Sequence, residues 1–223
     1  MDSDMTIYLQ PTPALNFDDP QVSALAAEHT AETSEPEKRA IRLYYAVRDG
    51  IRYDPYNIEM TVEGLKASRT LATGKGWCVP KAILLAAACR AVGIPARLGF
   101  ADVKNHLSTA RMREAMKTDV FFWHGYTAIY LNDIWVKATP AFNIELCQRF
   151  RIRPLEFDGR ADSIYHPFDL EGNRHMEYLS YRGEFADVPI DSIYETFHRE
   201  YVSPTFGTAD FDQDTLQETA ERK

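Results

Sequence analysis

The pattern of apolar and polar positions divides the chain into a helical first half and a second half that contains strands. Apolar residues recur at helical spacing from Pro36 to Gly50, and residues 21–30 form a shorter segment of the same kind. Residues 78–92 are almost uniformly apolar and rich in alanine and leucine, with stop signals directly after them. This stretch predicts a helix that is buried on all sides.

Strands are predicted where β-branched and aromatic residues cluster. Residues 121–131 have this composition, and residues 134–139 follow after Asn132 and Asp133, a pair typical of a tight turn. Arg97–Val103, directly after the apolar helix, is also predicted to be a strand. A further short strand is predicted at Thr6–Gln10. Helices followed by an antiparallel hairpin predict the α+β fold class.

The remaining segments give weaker patterns. Residues 68–77 form a glycine-containing loop, and residues 104–120 fit either a helix or an ordered loop. From residue 150 onward the pattern is irregular, and the polar tail at 207–223 is predicted to be frayed or loosely docked. The sequence therefore predicts one domain over residues 1–206.

Composition excludes several classes of function. The chain has 223 residues with a formal net charge of -8, which disfavours nucleic acid and anionic membranes as partners. It begins without a basic segment followed by an apolar one, and it has no apolar run near the roughly 20 residues of a membrane span. A cytoplasmic location is the resulting expectation.

The cysteines suggest neither disulfides nor a metal centre. There are three, Cys78, Cys89 and Cys147, and no two are spaced as CxxC. Histidine and cysteine lack the spacing of metal ligands, and no phosphate-binding or dinucleotide-binding glycine motif occurs. We therefore expect no cofactor and no metal.

Cys78 is the candidate nucleophile because it stands where the glycine loop meets the apolar helix. A helix N-terminus stabilises a thiolate, and the Cys78 N–H could also stabilise an oxyanion. The alternative is a small buried side chain, which is the usual role of free cysteine. Cys89 lies about 16 Å further along the same helix among alanines, so it is predicted to be core. Cys147 is predicted to be structural.

His124 is the candidate base because a polar ring inside an aromatic strand needs a partner. If Asn132 and Asp133 form the turn, residue 124 falls opposite residue 141. Thr139 and Asn143 are then its diagonal neighbours on the same face. Either could orient the imidazole, and Asn143 is preferred because its amide oxygen can accept the ring N–H.

Two segments carry a resemblance to a known family. GKGWCVPKAILLAAACRAVGIPARLGF resembles the core motif of the transglutaminase-like superfamily, in which a cysteine opens an apolar helix that ends in R-x-x-G-I-P-A-R. Arg90 and the run from Gly93 to Arg97 match that ending. Downstream, WHGYTAIYLNDIWV resembles the histidine strand of the family and its return strand. The similarity covers about residues 40–143.

The resemblance implies a papain-like fold, with the cysteine on a central helix packed against an antiparallel sheet. The family includes transglutaminases, cysteine proteases, amidases and peptide-N-glycanases. By position, Cys78 takes the role of nucleophile and His124 that of general base. The return strand of the family reads W-V-x-x-D-P, whereas this chain has Thr139 in place of the aspartate. Asn143 is then the predicted third residue.

Two classes of function follow from this site. The first is acyl transfer: Cys78 attacks the carbonyl of a peptide, protein or small amide, and hydrolysis is favoured over crosslinking. The second is a degenerate member of the same fold that binds a peptide or a protein. Trp77, Asn105 and His106 are candidate supporting residues.

Overall fold

The computed structural model of the protein describes residues 5–105, 108–164, 168–173, 175–203 and 209–221. A layer of helices contributed mostly by the first half of the chain packs on a four-stranded antiparallel sheet, as the α+β prediction requires. Among the described helices, none combines the length and the apolar character needed to cross a bilayer.

Helices are present where the sequence predicted them at 21–30, 36–50 and 78–92, but residues 68–77, predicted to be a loop, contain most of a further helix at Ala67–Thr73. A 3₁₀ turn at Thr6–Tyr8 comes first. The α-helices of the described residues are α1 (Pro20–Thr30), α2 (Pro36–Gly50), α3 (Val62–Leu65), α4 (Ala67–Thr73), α5 (Cys78–Ala91), α6 (Ala110–Met116), α7 (Ile144–Phe150), α8 (Ile190–Glu200) and α9 (Phe211–Glu221).

Helix α5 is the centre of the fold, and its bounds confirm the buried helix predicted at 78–92. Every residue from Cys78 to Arg90 is buried, because α1, α2 and α4 cover one side of the helix and the sheet covers the other. Arg90 is tolerated near its end because the guanidinium donates to the carbonyl oxygens of Gln10, Ala96 and Ala186. An all-round apolar sequence is what such a position demands.

The sheet is built around the predicted hairpin. Its strands are β3 (Ala96–Asn105), β4 (Val120–Leu131), β5 (Ile134–Ala138) and β6 (Met176–Phe185), in the order β5-β4-β3-β6. A separate short parallel pair joins β1 (Arg52–Tyr53) to β2 (Lys75–Gly76).

The turn between β4 and β5 confirms the predicted register. Asn132 and Asp133 both have positive φ, 49° and 65°, as a two-residue hairpin turn of type I′ requires. Leu131 therefore pairs with Ile134, and the same register continues to Thr127 and Ala138. Beyond Ala138 the chain leaves the sheet, so the position opposite residue 124 is not part of β5.

Two predictions about the ends of the chain are wrong. The strand expected at Thr6–Gln10 is instead the 3₁₀ turn at Thr6–Tyr8, in which none of the residues is buried. The tail expected to be frayed forms α9 over its described part, and there Phe211 and Thr215 are buried. Residues 207–208 and 222–223 of that tail lie outside the described residues.

Helix α9 is held by a buried ring and by ion pairs. The Phe211 ring packs edge-on against Tyr53 at 5.8 Å and against Tyr56 at 5.3 Å. Asp214 accepts hydrogen bonds of 2.7 Å from Arg111 and from the Tyr56 hydroxyl. The acidic residues that made the tail look disordered are the ones that bind it to the domain.

We expect Phe211→Ala to release α9 while the rest of the domain stays folded. Burial of a phenylalanine ring contributes roughly 1.5–3 kcal/mol, so amide exchange within α9 should accelerate roughly 10- to 100-fold. Hydrogen exchange measured by mass spectrometry reports this directly. Leu216→Ala is the matched control, since Leu216 is on the same helix and 48% exposed. Unchanged protection of α9 in Phe211→Ala would show that the ring does not hold the helix.

Candidate active site

Three features position Cys78 as the first residue of α5. The β1–β2 pair fixes the loop before it, since the Asp54 N–H donates to the Gly76 carbonyl oxygen at 3.1 Å. Trp77 has extended backbone angles and forms the N-terminal cap position. Strand β4 then passes close to the helix start, because a Cβ on Gly125 would lie 3.1 Å from the Val79 Cα. A larger residue at position 125 would therefore require β4 or the start of α5 to shift by a few tenths of an ångström.

The ionisation of Cys78 differs from the sequence-based expectation. Burial raises the pKa of the thiol to about 12, although hydrogen bonding from the backbone amides of Gly125, Val79 and Cys78 favours the thiolate. The predicted amide environment is present, but the side chain is only 6% exposed, so the cost of burying a charge outweighs the amides. In this closed state the thiol is neutral at pH 7.

His124 lies on β4 opposite Ala101 of β3 and is 5% exposed. Burial lowers the pKa of its imidazole to about 3. A neutral ring is the form that can accept a proton, but a pKa of about 3 makes it a weak base at pH 7 for as long as the site stays buried.

The backbone immediately before His124 is irregular. The pairing of β3 with β4 shifts by one residue between Ala101 and Val103, which makes a bulge on β4. Within it Trp123 has φ of +56°, a left-handed conformation that costs a bulky residue on the order of 1–3 kcal/mol. The Trp123 N–H donates to Asp102 at 3.1 Å, and the indole N–H donates to Thr196 at 2.9 Å.

Cys78 and His124 line one cavity of about 40 Å³. Its walls come from the loop after β1, from α6, β4 and α8, and most of them are apolar or aromatic. The lining residues besides these two are Tyr53, Pro55, Ile58, Trp77, Met112, Met116, Phe121, Phe122, Phe197 and Tyr201. No hydrogen bond between the Cys78 thiol and the His124 ring occurs within the described part of the chain. A space of this size has room for little more than a water molecule, so an amide substrate does not fit in the pocket as it stands.

A larger groove of about 500 Å³ lies directly beside this cavity. Ile58 and Trp77 line both spaces, so the groove and the cavity are neighbours. The groove carries charges of both signs, from Asp54, Glu59, Arg69 and Lys75. Movement of Ile58 or Trp77 would connect the groove with Cys78.

The structure does not bring the predicted orienting residues to His124. The Asn143 amide accepts the Tyr53 N–H at 3.0 Å and donates to Glu145 at 2.7 Å. Asn143 stands at the start of α7, after the chain has left β5. Thr139 is also buried but lines a different small cavity, beside Cys147. Within the described residues neither side chain hydrogen-bonds to His124, so the orienting role of Asn143 stays a prediction without a supporting contact.

The supporting candidates have separate positions. Trp77 adjoins the nucleophile and packs against Phe197, with ring centroids 5.9 Å apart. Asn105 ends β3 and lines a neighbouring cavity together with Tyr53 and Met112. His106 lies outside the described residues.

The two other cysteines are distant from this chemistry. Cys89 is completely buried in the middle of α5, and burial raises the pKa of its thiol to about 12. Cys147 is buried on α7, where burial raises its thiol pKa to about 12 as well. The structural roles predicted for both agree with these positions.

Sequence reasoning missed the residues that close the pocket. Phe197 lies on α8 and Tyr201 directly follows it, and the apolar residues of α8 recur at helical spacing from Ile190 onward, a signal that was available in the sequence. Asp102 was also missed, although a carboxylate inside an otherwise apolar strand is unusual. Gly125 could not have been singled out, because only the packing of β4 on α5 makes it necessary.

The pH dependence of thiol labelling tests the neutral state of Cys78. With a pKa of about 12, only about 10⁻⁵ of the thiol is ionised at pH 7, so alkylation by iodoacetamide should be slow. Its rate should rise about tenfold per pH unit between pH 7 and 9, without a plateau. Peptide mapping by mass spectrometry separates Cys78 from Cys89, which should react later. A plateau between pH 6 and 7 would instead reveal a stabilised thiolate.

Among the residues that the structure describes, no three or more histidine, cysteine, aspartate or glutamate side chains are grouped as metal ligands. The site brings together a thiol, an imidazole and backbone amides. Such a set suits nucleophilic attack on a carbonyl carbon.

Comparison with known protein families identifies the family of the chain. A family model described as the transglutaminase-like superfamily matches residues 23–140, slightly more than half of the chain. The match contains α5 with Cys78 and the hairpin with His124, and it ends before Asn143. No curated protein sequence matches the chain.

Several solved structures match part of the chain at low identity. A candidate cysteine protease from Cytophaga hutchinsonii is 18% identical with a TM-score of 0.49, over 63% of this chain and 43% of that one. The periplasmic domain of TgpA from Pseudomonas aeruginosa is 19% identical with a TM-score of 0.40, over 60% and 46%. Arylamine N-acetyltransferase from Nocardia farcinica is 13% identical with a TM-score of 0.41, over 60% and 47%. In each case the match spans less than half of the other protein.

Proposed function

The chain belongs to the transglutaminase-like superfamily, and we propose that it is a cysteine-dependent acyl-transfer enzyme acting on amides. Cys78 is the nucleophile in this proposal and His124 is the general base. Hydrolysis, as in a protease or amidase, is proposed over crosslinking. The substrate is a peptide, a protein or a small amide.

One observation supports the proposal above all others: the cysteine that opens the buried helix shares a pocket with the only histidine on β4. The fold maintains this juxtaposition at a cost, since it buries a polar ring and requires a left-handed tryptophan next to it. Such a local cost is common at functional sites. The amides of Cys78, Val79 and Gly125 next to the sulfur add donors that could stabilise an oxyanion.

The proposed reaction has two steps. The Cys78 sulfur attacks the amide carbonyl carbon while His124 accepts the thiol proton, and the C–N bond breaks as His124 gives that proton to the leaving amine. A water molecule then attacks the thioester, with His124 removing its proton and returning one to the sulfur. The carboxylic acid leaves, and the neutral pair is restored.

Substrate entry must open the pocket before this chemistry begins. Both partners are neutral when buried, and the space between the walls is too small for an amide. In the proposed cycle a substrate in the adjacent groove displaces the Trp77 or Ile58 side chain. Water then reaches the Cys78 thiol and lowers the free-energy cost of forming the thiolate. The groove then holds the part of the substrate that does not react.

Trapping of the acyl-enzyme tests this function. The protein is incubated with a panel of chromogenic amides and esters and quenched in acid, and the intact mass is then measured. A mass increase equal to the acyl group, mapped to Cys78, supports the proposal. An adduct mapped to Cys89 or Cys147 would contradict the assignment of the nucleophile.

A second candidate function is a binding module in which the same pocket has lost its activity. Two observations favour it: the neutral, buried Cys78 thiol, and Thr139 in place of the family's aspartate. The groove would then bind a peptide without cleaving it. Absence of an acyl adduct across the panel, with thiol labelling that remains slow, is the result this alternative predicts. A cytoplasmic location stays a prediction for either function.

A further inference from the structure

The carboxylate of Asp102 is inserted between three strands at the level of His124. Its side chain is only 7% exposed, yet it stands on β3 directly after Ala101, the residue that pairs with His124. The register of β3 shifts against β4 beside Asp102, and it shifts against β6 on both sides of it. Both neighbouring strands therefore deform around this one side chain.

The hydrogen bonds of Asp102 explain how a carboxylate is tolerated there. Arg182 on β6 donates to both carboxylate oxygens, with Nε at 2.9 Å from each and Nη2 at 2.7 Å from Oδ2. Ser180 donates at 3.3 Å. The remaining bond comes from the Trp123 N–H on β4, so Asp102 links β6 to the bulge.

The bulge decides where His124 points. Successive residues of a strand alternate between the two faces of the sheet, so one extra residue changes the face on which the following side chains lie. Trp123 is that irregular residue, and its left-handed backbone is held by the Asp102 carboxylate on one side and by the Thr196 hydroxyl on the indole. Without an acceptor for its N–H, the left-handed conformation loses its main support.

We propose that Asp102 is a positioning residue for His124, whose carboxylate, clamped by Arg182, stabilises the bulge at Trp123 that aims the imidazole into the Cys78 pocket. The inference rests on the proposed function for the role of His124, but the geometric claim is independent of it. Asp102 does not touch the substrate in this scheme. It acts only through the backbone of β4.

Asp102→Ala removes the acceptor, whereas Asp102→Asn keeps an oxygen that can accept the Trp123 N–H. The matched control is Glu184→Gln, because Glu184 also pairs with an arginine, Arg97, between β3 and β6 but lies away from the bulge. If Asp102→Ala does not fold, Arg182→Gln is used in the same measurements. This variant weakens the contact between Arg182 and Asp102 but keeps the carboxylate.

The first readout is the position of the ring. In ¹⁵N-histidine-labelled protein, the His124 signals are identified by their loss in His124→Ala, and contacts to the Cys78 β protons are measured as NOEs. We expect these NOEs in the parent, Asp102→Asn and Glu184→Gln, and their loss in folded Asp102→Ala. Retention of the NOEs in Asp102→Ala overturns the proposal, whether or not the protein proves to be an enzyme.

The second readout is turnover. A displaced catalytic ring can cost up to about 100-fold, so kcat of Asp102→Ala should fall roughly 10- to 100-fold with little change in KM. The double variant Asp102→Ala/His124→Ala should have the same kcat as His124→Ala alone, because the carboxylate acts only through the His124 ring. An additional loss in the double variant contradicts positioning. If the parent shows no turnover, the proposed function fails and the NOE result alone decides this inference.

Discussion

Cys78→Ala should abolish amide turnover, lowering kcat by roughly four orders of magnitude or more. The reason is that the sulfur forms the covalent bond, and no other described residue in the pocket carries a nucleophile of comparable strength. The fold should survive, because alanine is favourable in a helix and the substitution removes only a small buried group. Steady-state rates on the amide that gives an acyl adduct measure the effect, with the melting temperature as a check on folding.

Cys89→Ala provides a matched control for this experiment. It makes the same chemical change in the same helix, at a position that is completely buried and far from His124. Cys89→Ala should therefore lower the melting temperature at least as much as Cys78→Ala and leave the rate within about twofold of the parent. Activity that survives in Cys78→Ala would eliminate the nucleophile assignment.

His124→Ala should be nearly as damaging as Cys78→Ala. The double variant should be no slower than either single variant, because nucleophile and base act as one unit and their losses do not add. Asn143→Ala should cost much less, since the Asn143 amide bonds to Tyr53 and Glu145 rather than to the ring. A loss of activity in Asn143→Ala equal to that of His124→Ala would restore its predicted role.

The sequence was most informative where one local pattern determines one element. The apolar run from Cys78 onward predicted α5, and the Asn132–Asp133 pair predicted both the turn and the register of the hairpin. These features depend on neighbours along the chain. The same register also predicted that Asn143 would orient His124, and this stays a prediction without a supporting contact, because β5 ends at Ala138 and the Asn143 amide bonds to Tyr53 and Glu145.

The features that could not be predicted depend on contacts between distant parts of the chain. The ionisation of Cys78 was one of them: a helix start favours a thiolate, but Phe197 and Tyr201, more than a hundred residues later, bury the site and reverse the effect. Helix α9 was another. Its acidic residues alone indicate disorder, whereas in the structure they pair with cations from distant parts of the chain, such as Arg111. Local polarity and local propensity do not contain this information.

Lys81 lies in a helix that a local pattern predicted, but its role depends on contacts with a distant helix. Its substitution has the largest expected effect on stability. It lies one turn after Cys78, is completely buried, and donates from Nζ to the carbonyl oxygens of Arg48, at 2.9 Å, and of Ile51. These carbonyls end α2, so Lys81 ties the end of that helix to the first turn of α5. Burial lowers the pKa of its amine to about 7, although Asp49 favours the charged form.

Lys81→Met should lower the free energy of unfolding by about 2–4 kcal/mol at pH 7.5. Methionine retains an unbranched apolar side chain but leaves two buried carbonyl oxygens without their donor, and an unsatisfied buried group costs about 1–3 kcal/mol. Urea unfolding of the parent and the variant measures the difference. Lys66→Met is the control, because Lys66 makes only an ion pair with Glu63, whose side chain is 74% exposed.

The pH dependence of this difference follows from the lowered pKa. Between pH 7 and about 10.4 the unfolded chain keeps a proton on Lys81 that the folded protein has lost, so the stability of the parent rises with pH. The parent should therefore gain roughly 2 kcal/mol over Lys81→Met between pH 7.5 and pH 9, and nothing below pH 6. The comparison cancels the opposite contribution of the buried cysteines, whose raised pKa values make the protein less stable above about pH 9. A difference that stays flat from pH 6 to 9 would show that the buried amine remains charged, and that burial does not control its ionisation.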